Sequence, residues 1–338
     1  MSKIPIMNYL PLIEQLGFQQ LNDTQTLQTL WGGYGELVRL SVDDDSIIVK
    51  HIALPEQTEH PKGWNTKRSH QRKIKSYQVE LHWYQNYVAT LHSNCPAPLA
   101  LDTIQTQHSW LIVMQDLAQL GYINTIQTAE DARLKACHIE ACLKWLAWFH
   151  ASHIHTDHVH AGNIQTASNG LWQHGTYWHL ETRPDELQAL QDQKLKDSAH
   201  KIDQILNQAP YQTLLHGDAK LANFCFTDDG NNAAAVDFQY VGKGCAMKDV
   251  ALFMSSAVLP SECATKEQWL LDTYFKHLKA AVEDCQPTLN YADIEQAWRP
   301  LFCVAWADFQ RFVKGWSPNH WKINPYTEAL TLQALKQC

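Results

Sequence analysis

The chain has 338 residues, 45% of them apolar, and carries 27 Lys and Arg against 35 Asp and Glu for a net charge of −8. That length exceeds what one hydrophobic core usually covers and calls for roughly two lobes at about 150 residues each. The acidic balance argues against nucleic acid or an anionic membrane as the main partner, no stretch approaches the ~18 uninterrupted apolar residues of a membrane span, and nothing calls for an obligate protein partner. Nine cysteines, odd in number and never spaced Cys-x-x-Cys, signal neither a disulfide framework nor a zinc ribbon. The N-terminus MSKIPIMNYLPLIEQLGF has no continuous apolar run of the signal-peptide kind. A soluble, cytoplasmic protein is expected.

After a short opening helix around Pro11 to Gly17, VRLSV (38–42) and SIIVKHI (46–52) flank Asp43, Asp44 and Asp45 and read as two strands joined by a polar turn. Residues 61–73 are polar and basic, as in a loop. Then Ile74, Tyr77, Leu81, Tyr84, Val88 and Leu91 recur at alternating three and four spacing, which predicts a helix of about five turns. Asn94-Cys95-Pro96-Ala97-Pro98 ends it, and SWLIVMQDL (109–117) has the length and apolarity of a buried strand.

Beyond Leu117 the periodicity turns helical, over 128–150, 265–283 and 291–314. Between these helices lie the short apolar runs TLLHGD, NFCF and AAAVDF, the last two separated by the turn composition Thr227-Asp228-Asp229-Gly230-Asn231-Asn232. Asp218 and Asn223 follow one strand and Asp237 follows another, 19 residues beyond Asp218, so a hairpin could bring all three to one edge. Their carboxylate and amide oxygens are hard ligands of the kind Mg²⁺ prefers, and Asp218 would stay free to accept a proton from a hydroxyl. Such equipment suits phosphoryl transfer.

At these residues a family resemblance emerges. His216-Gly217-Asp218-Ala219-Lys220-Leu221-Ala222-Asn223 resembles the catalytic loop of the kinase-like fold, and Asp237-Phe238-Gln239 resembles its metal-binding triplet. Gly after His points to the small-molecule kinases, a superfamily of aminoglycoside phosphotransferases, choline and ethanolamine kinases and the ecdysteroid-kinase-like group, and the sequence looks most like the last. Lys248-Asp249-Val250-Ala251 resembles the Asp that braces that loop, and Leu146 to Ala151 resembles a helix end that accompanies it. The resemblance implies ATP and Mg²⁺ as cofactors, the metal held by Asn223 and Asp237, Lys220 near the γ-phosphate, and His216 orienting the loop without chemistry of its own. It also implies that Lys50, at the end of SIIVK, contacts the α/β-phosphates while Glu80 holds it. At 100° per residue Glu80 lies about 60° from Tyr77 on the inward stripe. Met114, Gln115 and Asp116 resemble the hinge whose backbone takes the adenine edge. Gly33 and Gly35 in Gly32-Gly33-Tyr34-Gly35 would cover the phosphates, although the full Gly-x-Gly-x-x-Gly form would need glycine at Val38.

The expected fold is α+β, protein-kinase-like and two-lobed, with a small sheet and helix in 1–117 and a larger helical lobe in 118–338. The expected function is transfer of the γ-phosphate to a hydroxyl of a small organic acceptor. Two other readings stay open, a catalytically silent nucleotide-binding module and a kinase of protein side chains. The second is prompted by Lys220, but the stretch from Gln239 to Lys248 leaves no long activation segment. Five histidines at 150, 153, 155, 158 and 160 invite a metal reading but sit at a helix end and in a polar loop. Lys62, Lys67, Arg68, Arg72, Lys73 and Lys75 read as a solvated basic loop. Trp298, Trp306, Phe309, Phe312, Trp316, Trp321 and Tyr326 read as core, and any part lining a pocket would suit a flat apolar or cationic alcohol.

Overall fold

The computed structural model describes residues 8–53, 67–107, 109–154 and 170–338. The chain divides into two compact units, Met1–Thr90 with Ala97–Ile123, and Leu91–Pro96 with Asn124–Cys338. The first carries an antiparallel sheet with helices and the second is mainly helical, giving the expected α+β class.

The first unit contains α1 (Leu10–Gln15), β1 (Leu21–Thr29), β2 (Gly35–Val42), β3 (Asp45–Ala53), α2 (Lys67–Asn86), β4 (Ala100–Gln105) and β5 (Ser109–Gln115). The strands form one antiparallel sheet in the order β1-β2-β3-β5-β4. Because side chains alternate across a strand, Val38, Leu40, Val42, Ile47, Val49, Leu111 and Val113 fall on one face and pack with Tyr9, Leu12 and Ile13. Each such aliphatic side chain contributes about 1.5–3 kcal/mol on burial. Lys50, one residue off Val49 and paired to Leu37 and Ile112, projects from the opposite face.

Two strands escape a reading by periodicity. Along β1, Asn22 to Thr29 are all exposed, so the segment has no apolar alternation to betray it, and no residue of β4 is fully buried. The helix expected from Ile74 to Leu91 instead runs Lys67–Asn86, so Arg68, Arg72 and Lys73 stand on α2 and not in a loop. Lys62 and the side chain of Lys67 lie outside the described residues.

The second unit comprises β6 (Asn124–Thr125), α3 (Ala136–Ser152), α4 (Pro184–Ala189), α5 (Gln193–Asn207), β7 (Thr213–Leu215), β8 (Phe224–Phe226), β9 (Ala233–Ala235), β10 (Gly242–Gly244), α6 (Met247–Ala257), α7 (Cys263–Cys285), α8 (Tyr291–Trp298), α9 (Phe302–Trp316) and α10 (Pro325–Leu335). Two small antiparallel sheets, β7–β10 and β6–β8–β9, carry the motif segments. The periodicity over 291–314 resolves into α8 and α9 with a single 3-10 turn, Arg299–Leu301, between them. Pro300 in that turn has no N–H to donate and fixes the break. The helix expected from 128 starts only at Ala136. Trp298, Trp306, Phe309 and Phe312 are buried as expected, whereas Trp321 is 52% exposed. The cysteines are free thiols. Among the described residues no helix is long and apolar enough to cross a membrane.

Candidate active site

The loop that follows β7 is built around backbone groups that must be satisfied without water. The N–H groups of His216 and Gly217 donate to the two carboxylate oxygens of Asp249 on α6, at 2.6 and 3.0 Å. Asp249 is fully buried, and its Oδ2 also meets His150 Nε2 at 3.2 Å, whose other ring nitrogen faces the Tyr274 hydroxyl at 2.9 Å. The helix-end histidine and the Lys-Asp motif therefore meet beneath the loop. Gly217 is required here. Its φ is +79°, and an added Cβ would fall 2.0 Å from the Tyr240 carbonyl oxygen.

His216 is held at both nitrogens. Nδ1 accepts from the Asp218 N–H at 3.3 Å and Nε2 donates to the Val236 carbonyl at 3.0 Å. Burial lowers its pKa against the pull of Asp249, Asp218 and Asp237, so the ring is a neutral orienting group.

Asp218 and Asn223 are in direct contact. Asn223 Nδ2 donates to the main-chain oxygen of Asp218 at 2.8 Å and to its Oδ2 at 3.1 Å. With the amide nitrogen committed, Asn223 Oδ1 is left accepting no hydrogen bond among the described residues. The hairpin then brings up the third residue. Phe224 pairs with Ala235, and the Val236 N–H donates to the Asn223 carbonyl at 3.0 Å. That register sets Val236 opposite Asn223 and Asp237 one residue beyond it. Asp237 holds a left-handed backbone, φ +68°, uncommon for a residue with a Cβ, and its Oδ1 accepts from Gln239 Nε2 at 2.5 Å.

Lys220 Nζ bonds Asp218 Oδ2 at 2.8 Å. Asp218 first, and Asp237 after the opposing effect of burial, hold its ammonium well above the ordinary lysine value. The Leu221 N–H donates to Ser256 Oγ at 2.8 Å, so α6 secures both ends of the loop.

In the first unit, Lys50 Nζ donates to both oxygens of Glu80, at 2.8 and 2.7 Å, and both side chains are buried. Gly33, in the β1–β2 connection, and Gly35, which opens β2, have φ of +76° and +133°, and a Cβ on Gly35 would collide with the His51 carbonyl at 1.9 Å. Met114 is buried in β5, and the Gln115 N–H is already given to the Leu99 carbonyl at 3.0 Å. Asp116 uses its carboxylate on Arg39 at 2.6 Å, on Ser46 at 2.8 Å and on the Ala118 N–H at 3.0 Å, as the cap of the turn after β5. Its side chain thus belongs to the fold.

Among the five clustered histidines, His150 supports Asp249, His153 Nδ1 bonds the Phe149 carbonyl at 2.8 Å, and His155, His158 and His160 lie outside the described residues. A cavity of about 460 Å³ lined by Leu134, Ile139, Glu262, Lys266 and Trp269 involves none of the motif residues. Sequence reasoning missed Ser256, Tyr177 and Tyr240. Serines near the end of an otherwise apolar helix were the one available sign of the first. The tyrosines had none, since only the folded chain bonds the Tyr177 N–H to the Gly217 carbonyl.

A small antiparallel sheet with the helix that carries Glu80, a larger helical unit and a His-Gly-Asp loop braced by a buried Asp define a kinase-like protein of the small-molecule type. The chain belongs to the phosphotransferase enzyme family, whose model matches residues 26–271. No curated protein matches the sequence. Solved structures similar to it include the choline kinase LicA of Streptococcus pneumoniae, at 12% identity over 96% of this chain and 95% of that one, with a TM-score of 0.43. An ethanolamine kinase of Plasmodium vivax is 10% identical over 94% and 83%, with a TM-score of 0.49. A spectinomycin phosphotransferase solved with ADP and spectinomycin is 12% identical over 99% and 100%, with a TM-score of 0.47. These identities carry no acceptor across to this chain.

Proposed function

We propose that the protein transfers the γ-phosphate of ATP, with Mg²⁺, to a hydroxyl of a small organic molecule. The observation that carries the reading is the Asp218–Asn223 contact, with Asp237 one residue beyond the strand residue that bonds Asn223. In the step proposed, the acceptor oxygen forms a bond to the γ-phosphorus, the bond from that phosphorus to the bridging oxygen breaks, and ADP leaves. Asp218 takes the hydroxyl proton and Lys220 balances its charge. Lys50, secured by Glu80, binds the α/β-phosphates. Asn223 Oδ1 and the Asp237 carboxylate are hard oxygens of the kind that fit Mg²⁺. The metal, when bound, supplies neutralisation of phosphate charge.

The connection from Asp237 to Asp249 is consumed by β10, which pairs with β7, and by the first turn of α6, so nothing here favours a peptide acceptor. The test is an ATP-consumption screen over alcohols and amino alcohols with Asp218→Asn as the blank. Turnover of the variant is expected to fall by ~10²- to 10⁴-fold, with nucleotide binding by calorimetry retained. Undiminished product formation by Asp218→Asn overturns the assignment.

A further inference from the structure

Lys322, between α9 and α10, has a fixed backbone. Its carbonyl accepts from Gln310 Nε2 and from Thr327 Oγ1, both at 3.0 Å. Its Nζ donates to Ser255 Oγ at 2.9 Å and lies over the rings of Phe309 and Trp321, 5.3 and 5.4 Å from their centroids. Ser255 is itself buried and gives its own proton to the Leu252 carbonyl at 2.7 Å. An ammonium has three donors, and this one meets a single neutral oxygen and two aromatic faces. Among the described residues, no carboxylate lies within ion-pair distance of it. A half-buried cation that no carboxylate among the described residues contacts is costly to fold and is seldom kept for stability alone.

Its surroundings are those of the catalytic loop. Ser255 adjoins Ser256, which holds Leu221. Phe309 packs edge-on against Tyr177 at 6.5 Å, and Tyr177 gives its N–H to the Gly217 carbonyl and sets its ring against Tyr240 at 5.8 Å. Burial pushes the Lys322 ammonium down to about 8, opposed by Asp218 and reinforced by Lys220. Lys220 is paired with Asp218 at 2.8 Å, so among the described residues Lys322 is the cation beside this loop that no carboxylate contacts. A quaternary ammonium or an aminoglycoside brought to Asp218 would meet a like charge. An anion would meet its missing partner.

We propose that the phosphoryl acceptor is an anionic alcohol, bearing a carboxylate or a phosphate, and that Lys322 binds its charge. This rests on the phosphotransfer reading above and names the substrate class of the same site. Two matched sets of alcohols with Mg·ATP test it: glycerate or glycerol phosphate, glycerol and serinol; and para-hydroxymethylbenzoate, its benzamide and its benzylamine. Binding is read by thermal shift with Mg·ADP, and transfer by ADP release against Asp218→Asn. The anionic members are expected to exceed their neutral partners by ~10-fold in kcat/KM and the amines by more. Whether carboxylate or phosphate leads within the glycerol set assigns the anion. In Lys322→Met, which keeps the stem over the rings, that preference is expected to vanish through KM, and the protein should melt no lower than the wild type. Lys322→Arg should keep it.

Neutral or ammonium members equalling or exceeding the anions in the wild type would overturn the proposal even if Lys322→Met failed to fold. So would an anion preference that survives Lys322→Met, or a loss of kcat shared equally by every acceptor, which would put Lys322 on the transferred phosphate. Transfer to a neutral or cationic alcohol would leave the phosphotransfer reading standing and remove only the anionic acceptor. Lys322-dependent anion binding with no transfer to any member would do the reverse.

Discussion

At the scale of single residues, the loop at 216–223 depends on contacts that tolerate little change. Gly217 is the sharpest case, because both its left-handed φ and the 2.0 Å approach to the Tyr240 carbonyl exclude a side chain. Gly217→Ala is therefore expected to destabilise the protein by at least ~2 kcal/mol, read as a lower denaturant midpoint, and to lower activity further by displacing Asp218. An unchanged midpoint would show that the loop can relax around a methyl group. The motif His-Gly-Asp was legible as letters, and the structure supplies the reason for the middle one. Asn223 is similar. Its position five residues after Asp218 was readable, while the commitment of its Nδ2 to Asp218 was not.

Elements cooperate through a few polar joints. Lys50 on β3 and Glu80 on α2 form one, a buried pair whose partners the residue pattern could place on facing elements but not bond. Asp116 at the end of β5 forms another, reaching Arg39 on β2 and Ser46 on β3. Burial works to raise its carboxyl, but Arg39, the Ala118 N–H and Ser46 outweigh it and hold the pKa below the ordinary 3.8. A depressed folded pKa means that the stabilisation is complete above the unfolded value and fades as the pH falls through the folded one. The stability gap between wild type and Asp116→Asn should thus be constant near neutrality and close below about pH 4, as followed by urea melts across pH. A gap that persists unchanged into acid would remove Asp116 as its source. Strand β1 shows the limit of pattern reading at this scale. It is held by pairing with β2 along a nearly wholly exposed segment, so backbone hydrogen bonds, which leave no trace in side-chain polarity, specify it.

For the molecule as a whole, the proposed function predicts linkage between ligand and folding. Any species bound only by the native state raises stability by RT ln(1 + [L]/Kd), about 2.7 kcal/mol at a hundredfold excess over Kd. Mg·ADP should raise the melting temperature, and chelation of the metal should take back much of that rise, because on the proposed reading Asn223 and Asp237 would hold the nucleotide only with the cation present. An ADP shift indifferent to chelator would argue against the metal role of these two residues.

The sequence by itself determined the α+β class, the hairpin that carries Asn223 and Asp237, and the His-Gly-Asp loop, because each is encoded within a short stretch where spacing and turn chemistry suffice. The family match over 26–271 agrees with that reading. Only the tertiary structure decided how Asp249 and His150 hold the loop, why residue 217 must be glycine, and that Lys322, about a hundred residues downstream, comes to rest on Ser255 beside it. Those groups meet through the packing of helices distant in the chain. Their side chains carry no periodic signal, and a lysine's missing counter-ion becomes visible only when everything around it is in place.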